Sequence, residues 1–125
     1  MARASWFEIP AADLDRAAAF YEALLGSPLE RDVVDGHDAA YLPAPDGEGA
    51  AGALMHGDSY VPSLEGTRIY LGVDDVESSV ARALAAGGDL LYPPTRVGEL
   101  VVAEVSDSEG NRIALSADAQ PDPEG

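Results

Sequence analysis

A chain of 125 residues with 46% hydrophobic side chains is the length of one domain and long enough to bury a core, and its lack of cysteine excludes disulfides and thiolate metal sites and suits a reducing compartment. Its 23 acidic and 7 basic residues leave a formal net charge of −16, which repels nucleic acid and anionic membrane surfaces and keeps the chain soluble. No run approaches the ~18 apolar residues of a membrane span, and MARASWFEIP has no apolar stretch of the secretory kind, so a cytoplasmic protein is expected.

The first element is a short alternating strand, with Phe7 and Ile9 on one face and Trp6, Glu8 and Pro10 on the other. Asp13 is placed to cap a helix, and Asp15 puts an acid in its first turn, where the helix dipole favours one. Leu14, Ala17, Ala18, Tyr21, Leu24 and Leu25 make the apolar stripe of a helix lying on a sheet, and Gly26 ends it. Strands are expected near 29–34, 38–42 and 51–56, with the turn-rich PAPDGEG (43–49) before the last. GDSYVPSLEG (57–66) is a link.

The next strand sets Ile69, Leu71 and Val73 against Arg68, Tyr70 and Gly72. Asp75 caps a second helix, Glu77 sits in its first turn, and Val76, Val80, Ala83 and Leu84 form its apolar stripe up to Gly87-Gly88. Strands near 89–92, 99–106 and 111–117 follow. DSEGN (107–111) is read as a hairpin turn in which Gly110 supplies the positive φ. Residues 119–125 read as a flexible acidic tail.

The chain repeats itself. Laying Asp13 on Asp75 brings Phe7 onto Ile69, Ile9 onto Leu71, Leu14 onto Val76, Ala19 onto Ala81 and Gly26 onto Gly88 without a gap. Both halves therefore read strand, capping aspartate, helix, glycine, three strands. The expected organisation is one α+β domain over 1–118, built of two βαβββ modules at about 4–58 and 66–118.

This doubled unit resembles the vicinal oxygen chelate superfamily, which includes glyoxalase I, bleomycin-resistance proteins and extradiol dioxygenases. The likeness is carried by WFEIPAADLDRAAAFYEALLG, YLGVDDVESSVARALAAGG and DSEGNRIALS, and spans residues 6–116. It implies a cup-shaped mixed sheet with both helices on the outer face, a ligand in the hollow, and a homodimer. Strand alternation then turns Trp6, Glu8, Arg68, Tyr70 and Arg112 into the cup, with Ala53 and Met55 from the fourth strand and Ala114 and Ser116 from the last.

Metal-dependent relatives hold their cation with His and Glu at four of these positions. Here the resemblance places Trp6, Ala53, Arg68 and Ala114 at them. None offers a lone pair to a divalent ion, and a guanidinium repels one. No metal or cofactor is therefore expected, and the remaining metal reading is a relocated site using His56 with Glu8 or Glu104.

Three functional readings follow. In the first, the cup binds a small molecule without metal through Trp6, Glu8, Met55, Arg68, Tyr70, Glu104 and Arg112. Arg68 would grip a carboxylate or phosphate, unless it pairs internally with Glu8 or Glu104. In the second, a metal-free enzyme of lyase or isomerase type uses Glu8 or Tyr70 to move a proton on a small carbonyl compound. A carboxylate among apolar walls would have its pKa raised for that task. In the third, relocated ligands support a metal-dependent lyase or dioxygenase. The fold hosts many chemistries, so it does not choose among them.

Overall fold

Each half of the chain folds its own four-stranded sheet. The computed structural model describes residues 2–120. In the first half, β1 (Phe7–Pro10), α1 (Leu14–Leu25), β2 (Arg31–Val34), β3 (His37–Pro43) and β4 (Ala50–Met55) give the order β1-β4-β3-β2. In the second, β5 (Ile69–Gly72), α2 (Val76–Ala85), β6 (Leu90–Val97), β7 (Leu100–Ser106) and β8 (Arg112–Asp118) give β5-β8-β7-β6. The parallel pairs are β1 with β4 and β5 with β8; all others are antiparallel. The two βαβββ modules read from the sequence are thus present, and the fold is α+β.

The helices form where the sequence signals stand. Asp13 caps α1 by accepting from the Arg16 amide at 3.1 Å, and Asp75 caps α2 by accepting from the Glu77 amide at 3.0 Å. Gly26 closes α1 at φ 77°, a left-handed conformation that costs glycine little. Ile9, Leu14, Ala17, Tyr21, Leu24, Leu54, Val80, Val105, Ile113 and Leu115 belong to one buried cluster between helices and sheets. The helices also touch each other, and Arg82 Nε donates to the Leu24 carbonyl at 3.3 Å. One core therefore serves both modules.

A buried polar knot ties the closing hairpin to the first module. The Asp107 carboxylate accepts four hydrogen bonds: from Tyr21 Oη at 2.6 Å, Asn111 Nδ2 at 2.9 Å, the Asn111 amide at 2.9 Å and the Glu109 amide at 2.8 Å. Asn111 Nδ2 also donates to the Pro10 carbonyl at 2.7 Å. Burial first, and then the Asp107 charge, hold the Tyr21 phenol well above its ordinary pKa. Nearby, the covered Glu109 side chain accepts from Arg16 Nε at 2.6 Å, Arg16 Nη2 at 3.0 Å and the Asp13 amide at 2.7 Å. Burial alone would raise the Glu109 pKa; these donors and Ser108 outweigh it, and it lies below the usual carboxylate range.

Three elements differ from the sequence reading. β6 runs to Val97, past Pro93-Pro94, where the sequence suggested a stop at 92. It is an edge strand, so prolines there forfeit few ladder bonds, and its register shifts between Tyr92 and Thr95. In α2, Leu84 is exposed and Ser79 is buried instead. The stripe turns toward Ser79 because its small side chain fits the packed face and its hydroxyl accepts from Arg82 Nη2 at 3.0 Å. At the end of β8, the Ala119 amide still donates to the Glu99 carbonyl at 2.8 Å, so the tail starts pinned. The rest of the expected tail, 121–125, lies outside the described residues.

Candidate functional site

The sheet faces opposite the helices form the candidate site. In β1, Ile9 is buried in the core while Glu8 is exposed; Glu8 stands beside Ala53 in the parallel register. In the matching strands Tyr70 lies beside Ala114, Glu104 beside Ala114 on the other side, and Tyr92 beside Glu104. Alternation thus collects Trp6, Glu8, Ala39, Tyr41, Ala53 and Met55 from the first sheet, and Tyr70, Tyr92, Glu104, Arg112 and Ala114 from the second.

Charge concentrates in the second sheet. Glu104 accepts from Arg112 Nη1 at 2.7 Å and from Arg68 Nη1 at 3.3 Å. Of the two internal partners considered for Arg68, Glu104 is the one present. Two guanidiniums share one carboxylate, and the Arg68 side chain is still 45% exposed against 14% for Glu104. Arg112 Nε donates to the Leu64 carbonyl at 3.2 Å, which fixes its plane.

The first sheet carries aromatic rings. Trp6 meets Tyr41 edge-to-face at 6.2 Å, and its Nε1 donates to Glu8 Oε2 at 3.3 Å. Tyr41 Oη donates to Asp32 Oδ2 at 2.7 Å; that bond raises the phenol's pKa and lowers the carboxyl's. Glu8 Oε1 accepts from Tyr60 Oη at 2.8 Å, which raises the Tyr60 pKa. The surroundings of Glu8 are therefore hydrogen-bond donors, not the apolar walls that the acid–base reading assumed.

Sequence reasoning missed Tyr60. It stands in the 57–66 segment, read as a plain link, yet its ring packs on Ala39, Ala53 and Met55. Met55 does face the cup as expected, but it is only 1% exposed beneath this cover. A lone aromatic in a Gly-, Ser- and Pro-rich link was the available signal. Asp32, on the four-residue edge strand β2, and its partner Tyr41, on the neighbouring β3, were missed as well, because nothing in so short an edge strand marks the face it presents.

Three clefts open around these groups. One of about 190 Å³ lies at the seam between modules and takes in Glu8, Pro10, Ser63, Thr67 and Arg112. A larger one, about 550 Å³, is lined by Trp6, Pro28, Glu30, Tyr41 and Gly49. A third, about 310 Å³, holds Tyr70 with Phe7, Leu42 and Leu71. The roomiest cleft includes the indole but none of Glu8, Arg68, Glu104 and Arg112, and none of the three takes in both Trp6 and Arg68. The seam cleft is the better candidate, because both modules supply a charged group to it.

The four positions at which the resemblance leads one to expect cation ligands, Trp6, Arg68, Ala53 and Ala114, carry an indole, a guanidinium and two methyl groups. The indole N–H is a donor already engaged with Glu8, and Arg68 is engaged with Glu104. These residues do not fit a divalent ion. His56 Nδ1 lies 3.0 Å from the Ala11 carbonyl, and among the described residues no three His, Asp or Glu side chains converge as ligands would.

Comparison with known proteins agrees with this architecture. The family profile described as a glyoxalase-like domain matches residues 6–116. The lactoylglutathione lyase of Haemophilus influenzae is 34% identical over 110 residues, covering 81% of this chain and 82% of that one. The putative glyoxylase CFP32 of Mycobacterium bovis is 32% identical over 113 residues, covering 84% of this chain and 40% of its own length. Among solved structures, TnmS3, an antibiotic binding protein from Streptomyces sp. CB03234, superimposes with a TM-score of 0.67 at 24% identity, covering 95% of this chain and 98% of that one. With a doubled βαβββ fold, a matched span covering both modules and a relative above 30% identity, the chain belongs to the glyoxalase-like family of the vicinal oxygen chelate superfamily.

Proposed function

We propose that the cup binds a small organic anion and does so without a metal at the positions its relatives use. The observation behind this is the shared carboxylate: Arg68 and Arg112 both lean on Glu104, leaving one positive charge unbalanced within that cluster of a strongly acidic chain. A guanidinium with free N–H groups offers a carboxylate or phosphate paired donors. TnmS3, of the same fold, is an antibiotic binding protein, which supports small-molecule binding as a function this fold can carry. Calorimetric titration tests the reading with benzoate against benzyl alcohol. Benzoate is expected to bind, benzyl alcohol not, and Arg68→Gln to weaken benzoate about tenfold, the loss of one charge-assisted contact. Equal binding of the two compounds, or an unchanged Arg68→Gln, refutes it.

A second reading is proton transfer on a small carbonyl compound by Glu8, supported by a lyase relative at 34% identity and by the place of Glu8 on the same cleft as Arg112. It expects hydrogen–deuterium exchange at carbon in dihydroxyacetone, followed by NMR, that Glu8→Gln abolishes. An equal rate in the variant ends it. Tyr70 lines a different cleft from Glu8 and Arg112, and is the weaker base on this geometry. We further propose a cytoplasmic homodimer; light scattering that returns a monomer mass at micromolar concentration refutes the dimer.

A further inference from the structure

The first half of the cup already holds a phenol, and the chain supplies it. Asp58 to Pro62 is a strap between two anchored ends. On one side the His56 amide donates to the Asp38 carbonyl at 3.2 Å. On the other, the Ser63 amide donates to Asn111 Oδ1 at 3.1 Å, and the Arg112 side chain grips the Leu64 carbonyl. Among the described residues, the one backbone hydrogen bond made by the strap itself is from the Tyr60 amide to the Gly57 carbonyl, at 3.0 Å. Its flanks are bare: Asp58, Ser59 and Val61 are all exposed. What holds the strap down is the Tyr60 side chain.

That side chain is treated as a ligand would be. Tyr60 packs, with Val34 and Tyr41, against a buried cluster of two methyl groups and a thioether: Ala39, Ala53 and Met55. His37 meets it edge-to-face at 5.5 Å. At its far end the hydroxyl reaches a carboxylate, Glu8 Oε1, at 2.8 Å. The site is apolar on one side, aromatic on another and ends in an acceptor. Those are the features that recognise a hydroxyaryl group. The adjoining seam cleft shares Glu8 and adds Arg112.

We propose that this half of the cup is a hydroxyaryl subsite filled in cis by Tyr60, and that a ligand enters it by displacing the strap. The proposal deepens the binding reading above. It assigns the ligand a phenol-like ring, whose donor meets Glu8 and whose anionic group extends toward Arg112 and Arg68. Strap release is cheap in backbone terms, since one amide-to-carbonyl hydrogen bond is lost and both anchors stay. The cost lies in the Glu8 bond and the ring's contacts, which the incoming ring replaces.

The probe is p-cresol, which carries no charge and so tests the subsite apart from the anion reading. Wild type, Tyr60→Phe and Tyr60→Ala are titrated, with folding checked by circular dichroism. Trp6 fluorescence reports binding, because Trp6 is the sole tryptophan and its N–H bonds Glu8. Affinity is expected to rise from wild type through Tyr60→Phe to Tyr60→Ala, by about tenfold or more overall. Adding Glu8→Gln to Tyr60→Ala should take back much of that gain. Equal affinity in wild type and both variants, or no binding to either variant, overturns the proposal; the Tyr60→Phe arm decides it even where Tyr60→Ala does not fold. A p-cresol response with no benzoate binding would refute the anion reading and leave this one standing, and the reverse pair of results would do the opposite.

Discussion

Tyr21→Phe isolates one hydroxyl in the knot that joins the modules. The ring is fully buried and phenylalanine fills the same space, so packing changes little. What is removed is a 2.6 Å hydrogen bond to the Asp107 carboxylate, whose three other donors remain. A hydrogen bond to a charged group contributes roughly 1.5–3 kcal/mol. A loss of about 2 kcal/mol is expected at neutral pH, which for a chain this size lowers Tm by roughly 6–12 °C. Urea denaturation followed by circular dichroism measures it. The alkaline limb gives an independent check. The folded Tyr21 pKa is raised, by burial first and the Asp107 charge second. Its contribution is therefore fully present below the unfolded value of about 10 and is lost as pH rises from there toward the folded value. The stability gap between wild type and Tyr21→Phe should shrink above about pH 10. A gap under about 0.5 kcal/mol at pH 7, or one that does not narrow in alkali, refutes the assignment of this bond as a principal tie between the halves.

Glu109→Gln should cost about 1–3 kcal/mol at pH 7, since it weakens a paired Arg16 contact and the hydrogen bond that the Asp13 amide donates to Glu109. The Glu109 pKa is depressed in the fold, so its contribution is present above the unfolded value of about 4.3 and disappears as pH falls through the folded value; wild type and variant should converge in acid unfolding titrations. Gly52→Ala should destabilise by about 2–3 kcal/mol or prevent folding, because a Cβ there runs into the Phe7 carbonyl and ring, and the carbonyl belongs to a paired strand that cannot withdraw; melting within 1 °C of wild type would contradict this. Asp75→Ala removes the acceptor for the Glu77 amide at the start of α2 and should cost about 1 kcal/mol by chemical denaturation.

Much of this architecture was legible in the chain. Capping aspartates, terminal glycines and the shared phase of apolar residues are local signals, and a repeat of all of them in order leaves few folds to choose from. Alternation then put Glu8, Tyr70 and Arg112 on the open face correctly, because a strand buried on one side fixes its register. The signal failed where several elements compete for one neighbour. Arg68 had two acidic partners within reach of the sequence argument, and β7 brought Glu104 to it while Glu8 turned to Trp6 and Tyr60. β6 ignored its proline pair because it lies at an edge, a position set by strand order and not by composition.

The amino-acid sequence by itself determined the doubled βαβββ plan and the face that each strand offers to the cup. Tertiary structure alone decided that the link between modules folds back to lay Tyr60 on Ala39, Ala53 and Met55, and that two arginines share Glu104. The division has one physical cause. Periodicity along a strand or helix is a property of neighbours in the chain, whereas the occupant of a surface or the partner of a charge depends on which distant segments arrive beside it.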